Sequence, residues 1–559
     1  MKFIKRNHRL LFIVIWFLIN LIQAGTTELF DDEAYYWIYS QFPAWGYFDH
    51  PPMIAWLIKA GYIIFPTELG VRLFIVLMNT ATLFLIQQLI EKKNDFLFYA
   101  IAASTAVAQI GGIIAVPDIP LLFFVSLFFW LYRRFLLDAT IGNSLLLGIS
   151  IALMFYSKYH GILIVLFTLI SHPKLLSKYQ TYLVAIVALL LFSPHIYWQY
   201  EHHFPSVQFH LFERNAVGYR FSFTTEYLLG QIALAGPLLG WLFIWAAFKH
   251  KPDTLTERAM KFSLAGVYLV FLISTIKGRA EANWTVPAFV GLIVLSHQYL
   301  INKPFLTKWV YRIAPLTLLL VLIARVYMML DIPAVAAIGK DEFHENKMVA
   351  ADIKQKANGL SVVFINSYQK PSKYWFYSKQ MAFALNTPDY RRNNYNYWPV
   401  EDSLIGKPAY VIGTKSFLFS DSIPGRQYRG NGGTKIENFF SFSKVQITSI
   451  REELINKELL RFTCHIQSPT SYLNFFQQQP FDTASISITI YDKRGDVAGY
   501  LSSNFTVKQI TETEVSAKVS CSHQLSPRIY TARMAISSCL AGFPSLNSSS
   551  FKFEIKSLL

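Results

Sequence analysis

Between residues 10 and 330 the sequence is a succession of apolar runs, each long enough, or nearly so, to cross a hydrocarbon core: 10–24, 71–90, 96–115, 119–136, 143–157, 160–172, 181–198, 228–248, 260–276, 284–300 and 310–330. A chain inside a bilayer must satisfy every backbone polar group internally, so such runs are helices. Only 15% of the residues are charged and 53% are hydrophobic, where a soluble domain carries about 25% charged residues. The expected fold class is a polytopic α-helical membrane protein with about eleven transmembrane helices, followed by a C-terminal extracytoplasmic region of α/β and β-sandwich type. The runs 143–157 and 160–172 are both short and read as two short helices meeting at the bilayer edge. The first run follows a basic start, as in a signal peptide. It reads as a retained helix, because no small-x-small cleavage site follows and many further spans do.

The formal net charge of +16 does not indicate a nucleic-acid partner. The basic residues lie in short clusters between apolar runs: Lys2, Lys5, Arg6 and Arg9, then Lys92 and Lys93, Arg133 and Arg134, Lys174 and Lys178, Lys249 and Lys251, Lys303 and Lys308. If eleven spans alternate, every cluster falls on one side, which the positive-inside rule makes the cytoplasm. The other side then holds 28–70, 117–118, 157–160, 199–227, 277–283 and everything after about 331. The residues with chemical potential played no part in that assignment, yet they all land on this outer face: Asp31, Asp32, Glu33, Asp49, His50, Asp118, Lys158, His202, His203, Glu213, Arg214, Lys277, Arg279 and Glu281. Ionisable groups near span ends are costly unless paired or solvated, and they commonly mark function.

The richest outer stretch is 28–56, ELFDDEAYYWIYSQFPAWGYFDHPPMIAW, with three consecutive acids and seven Tyr or Trp residues. Segments 34–42 and 53–65 read as amphipathic helices lying along the membrane surface, the second started by Pro51–Pro52. On a helix, adjacent Asp32 and Glu33 point about 100° apart. One can therefore reach a substrate while the other orients the loop, and one of the three acids serves as a helix cap. Asp49-His50-Pro51-Pro52 offers an acid beside an imidazole, suited to acid–base work, phosphate contact or a divalent metal; an Asx-capped turn is the plainer reading. Asp118, between two prolines, sits at a hairpin tip. Lys158, followed by Tyr159, breaks the charge bias on the outer side and suits a phosphate, although a snorkelling lysine is also expected there. The run Lys277 to Trp284 adds Arg279, Glu281 and Asn283, with arginine suited to bidentate phosphate binding. His202, His203 and His210 have no diagnostic metal spacing.

After residue 330 the composition changes. Segment 331–430 reads as a small α/β unit and Gly430–Gly433 as a boundary turn. From 431 to 559 short alternating runs predict an antiparallel sandwich of immunoglobulin-like kind. All three cysteines, Cys464, Cys521 and Cys539, lie there. One disulfide or three buried thiols both fit. Asn504 and Asn547 open glycosylation sequons.

The run DDEAYYWIYSQFPAWGYFDHPPMIAWLIKAGYIIF, then ELGVRL, PDIPLLFF, SKYHGIL and GRAEANWTVPAF, resembles the bacterial relatives of dolichyl-phosphate-mannose protein mannosyltransferases. It is similar, more distantly, to the lipid A aminoarabinose transferases. Both belong to the GT-C glycosyltransferase superfamily, and the resemblance covers about 10–330. It implies a transmembrane catalytic domain over 1–330 with its catalytic loop at 25–70, and a sugar donor carried on a polyprenyl phosphate. It implies transfer on the outer face of the inner membrane, with inversion at the anomeric carbon. By the family's first-loop motif Asp32 is the catalytic carboxylate and Glu33 its neighbour. Lys158 matches a lysine near the donor phosphate, and Arg279 falls near phosphate contacts. Asp49 and His50 stand where the aminoarabinose transferases carry Glu-Lys. Asp49, His50, Asp118, Tyr159, Glu281 and Asn283 are expected to shape the donor site. The expected partners are the polyprenyl-linked donor, membrane lipid, and a protein, lipid or glycan acceptor. No cofactor is required by this reading, although a divalent metal at Asp49 and His50 is compatible with it. The alternative is a transporter or flippase for lipid-linked sugars. Visible repeats and mid-membrane charges would support that reading; this sequence concentrates its charges at one face. A scaffold working through the β domain would leave the outer acids without a purpose.

Overall fold

The computed structural model describes residues 2–214, 218–336, 340–456, 459–492, 495–510, 514–520 and 528–555. It divides into two compact units, Met1–His344 and Glu345–Leu559. The first boundary therefore lies beyond the expected residue 330.

The first unit is helical. Its elements are α1 (Lys2–Thr26), α2 (Asp31–Gln41), α3 (Met53–Ile64), α4 (Glu68–Leu89), α5 (Asp95–Ser104), α6 (Ala106–Gln109), α7 (Asp118–Leu137), α8 (Ile141–Ser157), α9 (Gly161–Ser171), α10 (Tyr179–Glu201), α11 (Pro205–Gln208), α12 (Phe221–Ala235), α13 (Gly240–Lys249), α14 (Leu255–Ser274), α15 (Phe289–Leu300), α16 (Pro304–Met329) and α17 (Pro333–Ala336). Each expected apolar run corresponds to helix. Among the described residues five helices are long and apolar enough to cross a membrane unbroken: residues 7–26 of α1, then α4, α7, α10 and α16. α4, α7 and α15 form the centre, with α15 buried on nearly every side. α10 and α16 keep most of their apolar surface outward, as helices facing lipid do.

Two of the expected runs are broken. Run 96–115 bends by 78° after Ser104, and run 228–248 bends by 91° between α12 and α13. The second break turns on Gly236, whose φ of +146° is open to glycine. A Cβ there would lie 2.7 Å from the Ser104 carbonyl oxygen, so the two breaks pack against each other.

The second unit contains α18 (Asn346–Ala357), β1 (Ser361–Ile365), α19 (Gln369–Ser378), β2 (Ala382–Leu385), β3 (Ala409–Thr414), β4 (Asp421–Ser422) and β5 (Asn431–Ile436). The strands form a sheet in the order β2-β1-β3-β5-β4, with β1 parallel to β2 and β3 and the remaining pairs antiparallel. Gly430–Gly433 is thus no boundary turn. It runs into β5, where Gly432 and Gly433 leave room for the Phe419 carbonyl and the Tyr410 ring. The strands β6 (Gln446–Asn456), β7 (Leu459–Gln467), β8 (Ser485–Tyr491), β9 (Val497–Thr506), β10 (Glu514–Ser520), β11 (Arg528–Ile536), β12 (Ser545–Leu546) and β13 (Phe551–Ile555) follow. They are antiparallel throughout. The hydrogen-bonded order is β12-β11-β8-β9-β10-β7-β6, with β13 on β11, so they join into one path rather than two separate sheets. Val519 opposite Ser503 makes the join. Cys464 and Cys539 are free thiols, and Cys521 lies outside the described residues. Asn547 is fully buried and donates to the Phe442 and Val445 carbonyls, so it offers no glycosylation site as folded.

Candidate active site

The helix α2 carries the three consecutive acids in its first turn, where the helix dipole favours negative charge. It ends at the residue before Phe42-Pro43, a position where proline's steric demand stops helices. Phe30 at its N-cap has no capping side chain, so Glu33 reaches back and accepts from the Phe30 N–H at 2.8 Å. Contrary to the amphipathic expectation, α2 is buried on nearly every side.

The three acids have three different environments. Asp31 is buried and accepts from Lys340 Nζ at 2.8 Å. Burial opposes a charged Lys340, but hydrogen bonds and charge from Asp31 and Glu342 outweigh it and hold the ammonium pKa above the usual lysine value. Glu33 is completely buried. Its carboxylate takes Arg72 Nε at 2.7 Å and Nη2 at 2.5 Å, and the Ala115 N–H at 2.7 Å. Arg72 is equally buried and gives its remaining donors to the Ala24, Thr27 and Glu28 carbonyls. Glu33 thus locks α1, α2, α4 and the approach to α7 together. Asp32 alone of the three is partly exposed.

Helical spacing sets the direction of Asp32. Tyr36 and Tyr39 follow it at i+4 and i+7 on the same face. Tyr36 meets the His50 ring edge-on at 5.5 Å, and the Tyr39 hydroxyl donates to Asp49. Burial, reinforced by the Asp49 charge, raises the Tyr39 pKa, so Tyr39 stays a donor. The loop between α2 and α3 folds onto this stripe, with Tyr47 stacked on Tyr39 at 4.0 Å. Gly46 lets it approach α10: a Cβ there would lie 2.4 Å from Trp198, and the neighbouring Trp45 carbonyl accepts from His195 Nδ1 at 2.7 Å.

A second group forms where α7, α8 and the turn 282–288 meet. Lys158 Nζ donates to Asp118 Oδ1 at 2.8 Å and Asn283 Nδ2 to Asp118 Oδ2 at 3.1 Å. Lys158 and Asp118 are both buried. Three outer motifs are thus brought into one contact. Tyr159, next in sequence, bonds His195 Nε2 and Gln199 Nε2, each at 3.0 Å. Burial raises its pKa and keeps the phenol neutral.

His210 links the two groups. Its Nε2 donates to the Asp49 carbonyl at 2.9 Å, and its ring lies 6.1 Å from Tyr159 and 6.4 Å from His50. Burial is the main cause of its lowered pKa, with the Asp49 charge opposing and Arg214 and Lys158 adding to it. Lys158, His210, His50 and Arg214 all lie within electrostatic reach of His160. Arg214 covers the Trp284 ring at 4.5 Å and Trp284 packs on His160.

Arg279 is not part of this convergence. It is 63% exposed and pairs with Glu226 at 3.3 Å and Glu281 at 3.8 Å. Glu281 also binds Arg214 at 3.2 Å, so the arginine facing the cluster is Arg214. Asp49 and His50 gather no third metal ligand among the described residues. His202 stacks on Trp198 at 4.2 Å, away from His210's bond to Asp49. The sequence reading did not identify Arg72, Tyr39 or His195 as site residues. A lone arginine or histidine inside an apolar run was the available signal, since such groups must find partners.

The model of the dolichyl-phosphate-mannose-protein mannosyltransferase family matches residues 49–198, which takes in Asp49, Asp118 and Lys158 and begins after Asp32. The lipid A galacturonosyltransferase RgtD of Rhizobium johnstonii is 25% identical over 301 residues, covering 49% of this chain and 61% of that protein. The structure of ArnT from Cupriavidus metallidurans in the apo state superposes with a TM-score of 0.55 at 14% identity, over 77% of this chain and 98% of ArnT. ArnT bound to undecaprenyl phosphate gives 0.52 at 13% identity, over 73% and 93%. Residues 49–198 thus resemble the dolichyl-phosphate-mannose-protein mannosyltransferase family, and the fold resembles that of ArnT. The ArnT likeness is one of fold. It spans most of this chain, whereas the sequence match to RgtD takes in less than two thirds of that relative.

Proposed function

We propose that this chain transfers a sugar from a polyprenyl-phosphate donor to an acceptor hydroxyl on the outer face of the inner membrane, with inversion at the anomeric carbon. Asp32 takes the acceptor proton as the oxygen attacks the anomeric carbon. The bond from that carbon to the phosphate oxygen breaks, and the electron pair leaves with the polyprenyl phosphate. Lys158 meets the departing charge: an ammonium has three donors and Asp118 uses one. Arg214, with Trp284 under its guanidinium, supplies a second cation, and Arg279 lies further out. Asp49, His50 and Tyr159 shape the cavity, and Glu33 positions Asp32 without touching substrate. Asn283 holds Asp118, and Glu281 holds Arg214.

The observation that carries this reading is the junction of Asp118, Lys158 and Asn283, three separate loops closing on one buried ion pair within a fold shared with ArnT. ArnT's structure with undecaprenyl phosphate supports the donor class, and the match to a lipid A galacturonosyltransferase favours a glycolipid acceptor over protein or glycan. The Glu345–Leu559 unit takes part in selecting the acceptor. Membranes with and without the protein, compared by mass spectrometry of their glycolipids and glycans, test the proposal. A sugar-bearing species that vanishes in the Asp32→Asn variant supports it. Unchanged products in the variant overturn it.

A further inference from the structure

The segment after α16 is not absorbed by this mechanism, and it ends against the catalytic helix. Lys340 binds Asp31 at 2.8 Å and Glu342 at 2.7 Å, and Phe343 packs on Phe30 with ring centres 5.6 Å apart. Residues 340–344 therefore hold the two positions immediately before Asp32. The same segment carries Asp341 and His344, and Asp331 lies just beyond the end of α16. One carboxylate oxygen from each aspartate and one His344 nitrogen all lie within 4.8 Å of one another.

We propose that Asp331, Asp341 and His344 bind a divalent transition-metal ion, with zinc as the best match, and that the ion fixes segment 340–344 against the start of α2. Two carboxylates and an imidazole form a mixed oxygen and nitrogen donor set of borderline softness, which suits zinc better than calcium or magnesium. Metal–ligand bonds of about 2.0–2.2 Å put the donors of a tetrahedral site roughly 3.3–3.6 Å apart. Closing the present arrangement onto an ion asks for about an ångström of movement. Two carboxylates at this separation repel, and a divalent cation removes that repulsion.

His344 supplies an independent observation. Its ring is 9% exposed and packs against Tyr327 at 5.1 Å. Nδ1 is 2.8 Å from Asp341 Oδ1, while Nε2 is buried with no hydrogen-bond partner among the described residues. A neutral imidazole merely capping Asp341 would leave that second nitrogen buried at a cost.

Ion binding does not depend on the transferase reading; only its effect on Asp32 does. The test is equilibrium dialysis of the purified full-length protein against zinc, manganese, calcium and magnesium, with bound metal read by elemental analysis. The expected result is about one zinc per chain, reversed by chelator together with a fall in Tm. His344→Gln loses the ion. Asp331→Asn, at an exposed position, weakens binding at least tenfold. A wild-type chain that binds no ion, or a His344→Gln chain that keeps its full complement, for example at Asp49 and His50, overturns the proposal. Should zinc bind as expected while glycosyl transfer is absent, the site stands and the functional reading falls.

Discussion

Two acid–arginine pairs lie near the site and are built in opposite ways. Glu33 and Arg72 are sealed: both side chains are buried, and Arg72 spends its donors on Glu33 and three carbonyls. Arg279 lies in the open, sharing Glu226 and Glu281 over looser distances. In the sequence Arg72 is a lone arginine in an apolar run while Arg279 stands among other polar residues, and the exposed one looks the more chemical. The difference teaches that charge near a span end has two uses. Buried pairs fix the backbone that presents a reactive group, and exposed pairs adjust the field around it. Lys158–Asp118 is a third case, buried like the first yet lying where three outer motifs meet.

The sharpest way to break this comparison is Glu33→Gln. It leaves the Arg72 guanidinium buried without its counter-charge, at a cost of about 3–5 kcal/mol. A large fall in Tm of the detergent-solubilised protein is expected, and an unchanged Tm would show that the pair is not structural. Asp32→Asn is expected to leave Tm unaltered and cut turnover by about 10²–10⁴-fold, the usual share of a general base. A loss below tenfold would move the base elsewhere. Lys158→Gln should lower turnover about 10²-fold. If Asp118→Asn, which keeps the cation, does the same, the pair acts as a unit.

His210 gives a pH test. Its folded form prefers the neutral ring, so its contribution is complete above the ordinary histidine pKa of about 6.5 and shrinks as pH falls below it. Tm should drop between pH 7 and 5, and by less in His210→Gln. The smallest effect belongs to Arg279→Ala. Exposed pairs are worth about 0–1 kcal/mol, so turnover should change by less than about fivefold. A hundredfold loss would place Arg279 on the phosphate after all.

The sequence shows where the helices are, because run length and apolarity are local properties. It shows Asp118, Lys158 and Asn283 as separate candidates, because each lies at the edge of an apolar run. It does not show their meeting, which depends on helix packing across 165 residues. Nor does it show the two bends: the run containing Gly236 is apolar on both sides, and the bend depends on a φ that leaves no trace in hydropathy. Arg214 and Arg279 are indistinguishable by charge, and the Trp284 ring under Arg214 and the exposure of Arg279 separate them. The Gly430–Gly433 run was misleading because glycine serves close packing in a strand as readily as a turn.

The bond from Lys340 to Asp31 spans 309 residues of sequence. During synthesis α2 is made almost first, and its anchor emerges only after α16 has left the ribosome. The first turn of α2 is therefore tied early to α1 and α4 through Glu33 and Arg72, and to Lys340 only once the rest of the helical unit has been made. The full set of contacts around the first turn of α2 thus exists only when that unit is complete.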